Sequence, residues 1–134
     1  MTDTFHVLCS APYMIPVIDR FRPLFAEAGI KLFVPDVLER MEEEDLLPYA
    51  GKVDGVICGD DRFSEPVLGQ FAPRLKVISK WGTGIDSIDK DAAEKLGIRV
   101  CRTADAFTTP VSDTVMQYIL MFARQGVALD RAMK

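Results

Sequence analysis

The residues best suited to chemistry are Trp81-Gly82-Thr83-Gly84-Ile85-Asp86, a glycine-bearing loop that follows the apolar run Leu75 to Ser79. Glycines let backbone approach a ligand with no Cβ in the way. Successive N–H groups turned inward form an anion-binding nest. A loop at the carboxyl end of a parallel strand also lies where open α/β sheets bind their ligands. The chemistry this predicts is recognition of a small anion. The other reading is that both glycines do no more than make a tight turn.

Other chemistries find less support. A dinucleotide fingerprint needs Gly-x-Gly-x-x-Gly opening a helix, and Ser87 stands where the third glycine belongs. His6, the single histidine, lies on the first apolar run and reads as a strand-end residue with an ordinary hydrogen bond. With one histidine and no Cys-x-x-Cys, no zinc site follows from familiar spacings, and no metal is expected. Cys9, Cys58 and Cys101 are odd in number and widely spaced, so they are read as small hydrophobes in a reducing, cytoplasmic setting. Asp89 fits a helix N-cap, and Asp86 can bond to loop amides. Trp81 either walls a pocket beside the loop or fills space between sheet and helix.

These residues must be held by alternating strands and helices. Strands are expected at Phe5 to Ser10, Ile30 to Val34, Val53 to Cys58, Leu75 to Ser79 and Ile98 to Cys101. Between them lie a helix over Met14 to Ala28, with Ile15, Ile18, Phe21, Leu24, Phe25 and Ala28 on one face, and a short acidic helix over Met41 to Ala50. A third helix starts at a Ser64 cap and runs to about Phe71, and a fourth runs from Lys90 to Leu96. Gly29 and Gly97 supply the left-handed positions that stop helices. Repeated strand–helix units predict an α/β fold: a flavodoxin-like, doubly wound, five-stranded parallel sheet. The final helix, Pro110 to Arg124 with Thr109 as its cap, is apolar almost all the way round. Such a helix should be buried on all sides, and one five-stranded domain offers a single face.

The run Leu75-Lys-Val-Ile-Ser-Lys-Trp-Gly-Thr-Gly-Ile-Asp-Ser-Ile-Asp89, continued by Ala92-Ala93-Glu94-Lys95-Leu96-Gly97-Ile98 and by Val111-Ser112-Asp113, resembles the D-2-hydroxyacid dehydrogenases, which include phosphoglycerate dehydrogenase. The resemblance implies that residues 1–103 are a substrate-binding domain, and that residues 104–134 are the interdomain crossing and the first helix of an NAD-binding domain. It implies that Gly82, Thr83 and Gly84 hold a substrate carboxylate, with Trp81 and the loop Gly59-Asp60 nearby. The family's catalytic Arg, Glu and His, and its NAD fingerprint, come after the region this chain matches, so no catalytic residue and no bound NAD are expected on these residues. Lys80 stands where relatives often carry a basic residue, although a solvated role is equally open. Two positions depart from the pattern. Gly59-Asp60 replaces an Arg-Ser pair, which argues against a phosphate-bearing substrate because carboxylates repel an anion, with Arg62 a candidate to compensate. Arg102-Thr103-Ala104 replaces Asn-Thr-Pro at the domain crossing.

Composition narrows the partners. The chain of 134 residues is 49% apolar and 27% charged, with a net charge of −4. An acidic surface without a basic cluster attracts neither nucleic acid nor an anionic membrane. The longest apolar run, Val115 to Ala123, falls far short of the ~20 residues a bilayer needs, and the start Met-Thr-Asp-Thr-Phe-His lacks the pattern of a signal peptide. The expected partners are a small 2-keto or 2-hydroxy acid and a second copy of the chain, through helix 110–124. Against the dehydrogenase stand a free-standing module that binds a small carboxylate, a receiver-like domain, for which Cys9-Ser10-Ala11 lacks the acidic pair, and a pure interaction module.

Overall fold

The computed structural model describes residues 4–134. Met1 to Asp3, part of the stretch examined for a leader, lie outside them. The chain divides into two compact units, Met1–Thr103 and Ala104–Lys134.

In the first unit five strands form one parallel sheet: β1 (Phe5–Cys9), β2 (Ile30–Phe33), β3 (Gly55–Cys58), β4 (Val77–Lys80) and β5 (Arg99–Arg102). Their order is β2-β1-β3-β4-β5, the flavodoxin-like arrangement. The register sets Cys58 beside Lys80 and Lys80 beside Arg102, so the loops that leave β3, β4 and β5 emerge side by side.

Successive strand residues face opposite sides, and two cores follow. Leu8, Val56, Cys58 and Ile78 join Leu46, Phe63, Val67, Leu68, Phe71, Ala93 and Ile98 in the larger one. It is covered by α2 (Glu43–Leu46), α3 (Glu65–Phe71) and α4 (Lys90–Lys95). On the other face Cys9 packs with Ala11, Met14 and Ile18. Here lie a 3-10 turn, Ile15–Arg20, and α1 (Arg22–Glu27).

Several local expectations need correction. The single helix over Met14 to Ala28 is broken at Phe21. Pro23 has no N–H to donate and its ring clashes with the carbonyl four residues back. Leu24 and Ala28 are exposed, so the proposed apolar face is only partly used. The acidic helix is shorter than expected, because Pro48 converts its second half to a 3-10 turn, Leu47–Tyr49. Ser64 occupies the N-cap position of α3 but makes no capping bond; its Oγ is buried without a partner. Asp89 does cap α4, accepting the Ala92 N–H at 2.9 Å, and Gly29 and Gly97 both have φ of +70°.

The second unit is a pair of helices, α5 (Thr108–Ala123) and α6 (Gly126–Met133). Phe107, not Thr109, stands at the α5 N-cap; Thr109 and Pro110 lie inside its first turn. Gln125 at φ +52° turns the chain into α6, an element the sequence pattern did not reveal. No residue of α5 is buried. Among the described residues no helix is long and apolar enough to cross a membrane.

Candidate functional site

β4 ends at Lys80 and the chain turns at once. The Trp81 N–H extends the ladder to Cys58 O at 2.8 Å. The Gly82 N–H folds back onto Lys80 O at 3.0 Å, with φ of +143°, a conformation that needs glycine. The next two peptides are gripped from behind by the end of β5. The Gly82 carbonyl accepts the Thr103 N–H at 2.9 Å. The Thr83 carbonyl accepts Arg102 Nη1 at 3.3 Å. Thr83 Oγ1 donates to Thr103 O at 3.0 Å, and Thr103 Oγ1 to Lys80 O at 3.3 Å.

In a trans peptide the N–H points opposite to the carbonyl. With the Gly82 and Thr83 carbonyls directed toward β5, the N–H groups of Thr83 and Gly84 are directed away from it. Neither has an acceptor among the described residues. A Cβ added to Gly84 would meet nothing nearer than Asp86 Oδ2 at 3.9 Å. The loop therefore offers two adjacent backbone donors beside open space, the donor set of a small anion nest. Of the three residues assigned to this role, Gly82 supplies the turn while Thr83 and Gly84 carry the free donors. Asp86 accepts no loop amide among the described residues, against expectation. Trp81 is 40% exposed at the same rim.

The β3 loop forms the neighbouring corner. Lys80 is 4% exposed, and its ammonium donates to Gly59 O at 2.5 Å and to Asp60 Oδ1. The Asp60 side chain is 77% exposed, so its charge faces solvent while one oxygen is held by Lys80. A Cβ on Gly59 would lie 2.8 Å from Pro12 Cδ, and this close packing accounts for the glycine. Arg62 is 3.7 Å from Glu42, not at the loop beside Asp60.

Asp61, which sequence reasoning did not single out, is fully buried. It accepts Ser10 Oγ and, at 2.7 Å, the Met41 N–H. Burial pushes its carboxyl above the usual range; the Ser10 and Met41 bonds and the Lys80 charge pull the other way without winning. Its only sequence signal was the Asp60-Asp61 doublet after a strand. Cys58, beside it, is pushed up to about 12 by burial, too high to be a nucleophile.

His6 lies near the N-terminal end of β1, at the end of the strands opposite the β4 loop. Its Nδ1 is 2.8 Å from Arg74 Nη2, and its backbone N–H donates to Asp54 Oδ2 at 2.8 Å. Burial raises Asp54, but the Arg74 and His6 bonds outweigh it and hold the carboxyl below its usual range. These residues line a cavity of about 700 Å³ at the N-terminal ends of the strands, whereas the Thr83–Gly84 donors follow the C-terminal end of β4. No group of three His, Cys, Asp or Glu side chains that could hold a metal occurs among the described residues.

Residues 8–128 match the family model of the D-isomer specific 2-hydroxyacid dehydrogenase catalytic domain. The chain is 30% identical over 112 residues to a glyoxylate reductase of Thermococcus onnurineus, covering 78% of this chain and 34% of that protein. It is 30% identical over 92 residues to a glyoxylate/hydroxypyruvate reductase B of Yersinia enterocolitica, covering 69% and 28%. The chain thus spans about a third of the length of these relatives. Among solved structures, the TT0316 protein of Thermus thermophilus superposes with a TM-score of 0.70 at 28% identity, over 92% of this chain and 38% of that one. A 3-phosphoglycerate dehydrogenase of Entamoeba histolytica, solved with NAD+, shares the fold with a TM-score of 0.72 at 20% identity, over 88% and 39%. The sheet order, the glycine loop beyond β4 and these matches together place the chain in the D-isomer specific 2-hydroxyacid dehydrogenase family.

Proposed function

We propose that this chain is the substrate-binding portion of an NAD-dependent D-2-hydroxyacid dehydrogenase, with the Thr83 and Gly84 N–H groups holding the carboxylate of a 2-keto or D-2-hydroxy acid. The observation that carries this is the pair of unpartnered N–H groups whose carbonyls are tied to Arg102 and Thr103. Two charge-assisted bonds to a carboxylate would fix the acid's orientation for hydride exchange at C2.

In this reading NADH would supply the hydride that reduces a 2-keto acid, and NAD+ would accept it from a D-2-hydroxy acid. The residues of the β4 loop do not fit a dinucleotide: Ser87 replaces the third glycine, and α4 has six residues. Residues 1–103 serve the substrate, and residues 104–134 belong to the cofactor domain and to a homodimer contact through helix 110–124. The whole enzyme works in the cytoplasm, and this stretch alone performs no hydride transfer. Within the family the plan is that of phosphoglycerate dehydrogenase. The exposed Asp60 carboxylate favours acids without a second anionic group, and the names of the glyoxylate and hydroxypyruvate reductases agree with that.

Calorimetric titration of the chain with oxamate, a stable 2-keto acid analogue, tests the proposal. We expect saturable binding, weakened about 10-fold or more by Gly84→Val, whose side chain fills the space beside the two donors, and no binding of NADH. A family D-2-hydroxyacid carboxylate site is excluded at this loop if Gly84→Val binds oxamate as tightly as the parent chain.

A further inference from the structure

We propose that Arg102 is a positioning residue for the substrate carboxylate, acting through the Thr83–Gly84 peptide. The inference rests on the reading of the β4 loop as the carboxylate nest. It assigns a role to a residue that departs from the family pattern described above.

Arg102 is the last residue of β5, directly across the ladder from Lys80. Its Nη1 donates to the Thr83 carbonyl at 3.3 Å. That carbonyl and the Gly84 N–H belong to one peptide unit. A cation hydrogen-bonded to the carbonyl oxygen draws electron density along the unit and makes its N–H a stronger donor. It also resists rotation of the peptide plane, which would turn the Gly84 N–H out of the nest. The adjoining unit, Gly82 C=O to Thr83 N–H, is held by the neutral Thr103 N–H at 2.9 Å. The two donors are therefore prepared unequally, one by a charged partner and one by a peptide.

Other cations near this edge are engaged elsewhere. Lys80 is buried against Gly59 and Asp60, and Arg62 is paired with Glu42. Arg102 is exposed and hydrogen-bonded to the loop itself. Its charge thus also offsets the exposed Asp60 carboxylate as an acid approaches.

The test is amide NMR on the chain and on Arg102→Met and Arg102→Lys, each titrated with oxamate. In Arg102→Met without ligand, the Gly84 amide proton should move upfield while Thr83 stays in place. Its oxamate affinity should fall about 10-fold, and Arg102→Lys should recover most of the loss. A purely structural role would instead disturb Thr83 and Gly84 alike and would not be rescued by lysine, which overturns the proposal. Unchanged affinity in Arg102→Met also overturns it while leaving the nest standing. If oxamate does not perturb Thr83 or Gly84 in the parent chain, the nest itself fails, and the role of Arg102 with it.

Discussion

Asp61 and Asp54 are carboxylates at opposite ends of β3, and they should couple folding to pH with opposite signs. Asp61 is held above its ordinary value by burial. A carboxyl raised in the fold contributes its stability fully below the unfolded value of ~3.9, and loses it as pH climbs through the folded value. Asp54, lowered in the fold, contributes above the unfolded value and loses that as pH falls through the folded one. Asp61→Asn keeps an acceptor for Met41 and removes the titration. Its denaturation midpoint relative to the parent chain should therefore improve as pH rises above the unfolded value of ~3.9 and level off once pH has passed the raised folded value. A difference that does not vary with pH contradicts the account. Legibility at this scale followed locality. Asp89 was readable because a cap bonds three residues ahead. The Asp61 network joins Ser10, Met41 and Asp61 across three loops, and no local spacing announces it. Ser64 shows the converse, a residue of the right type at the right position that makes no cap bond.

All five strands lay within a few residues of where apolar runs placed them, because a sheet buried on both faces writes itself as short Val, Ile, Leu and Cys runs. Helices were less legible. The pattern over Met14 to Ala28 has helical spacing throughout, and only Pro23 says that it cannot be one helix. Replacing Pro23 with alanine restores a donor and removes the clash. Helical circular dichroism should then rise as Ile15–Arg20 and α1 fuse, with stability changing by no more than about 1 kcal/mol because Leu24 and Ala28 are exposed. An unchanged spectrum would mean that another constraint breaks the segment at Phe21. The β4 loop was legible as a ligand-binding loop, since glycine spacing and strand position both pointed there. The division of labour within it was not. That depends on the partners of the Gly82 and Thr83 carbonyls, and those come from β5, some twenty residues away in sequence.

At the scale of the molecule, the second unit carries Val111, Val115, Tyr118, Ile119 and Phe122 exposed, with Phe122 at 90%. A run of large apolar side chains on one helix is a surface that seeks cover. Light scattering should give a mass that rises toward twice that of one chain with concentration. Replacing Ile119 and Phe122 with glutamate should return it to the monomer, with the sheet's far-ultraviolet signal retained. A monodisperse monomer at high concentration in the parent chain would remove the proposed contact through helix 110–124.

We propose that the Thr83 and Gly84 amides receive the carboxylate of a 2-keto acid. The most direct measurement is a map of amide shifts in the isotopically labelled chain as oxamate is added. Saturable downfield shifts should concentrate at Thr83 and Gly84, with smaller changes at Trp81 and Asp60 and none around His6, Asp54 and Arg74 at the other end of the strands. Shifts centred on His6 and Arg74, with Thr83 and Gly84 unmoved, would contradict it and put the anion site at the opposite end of the strands.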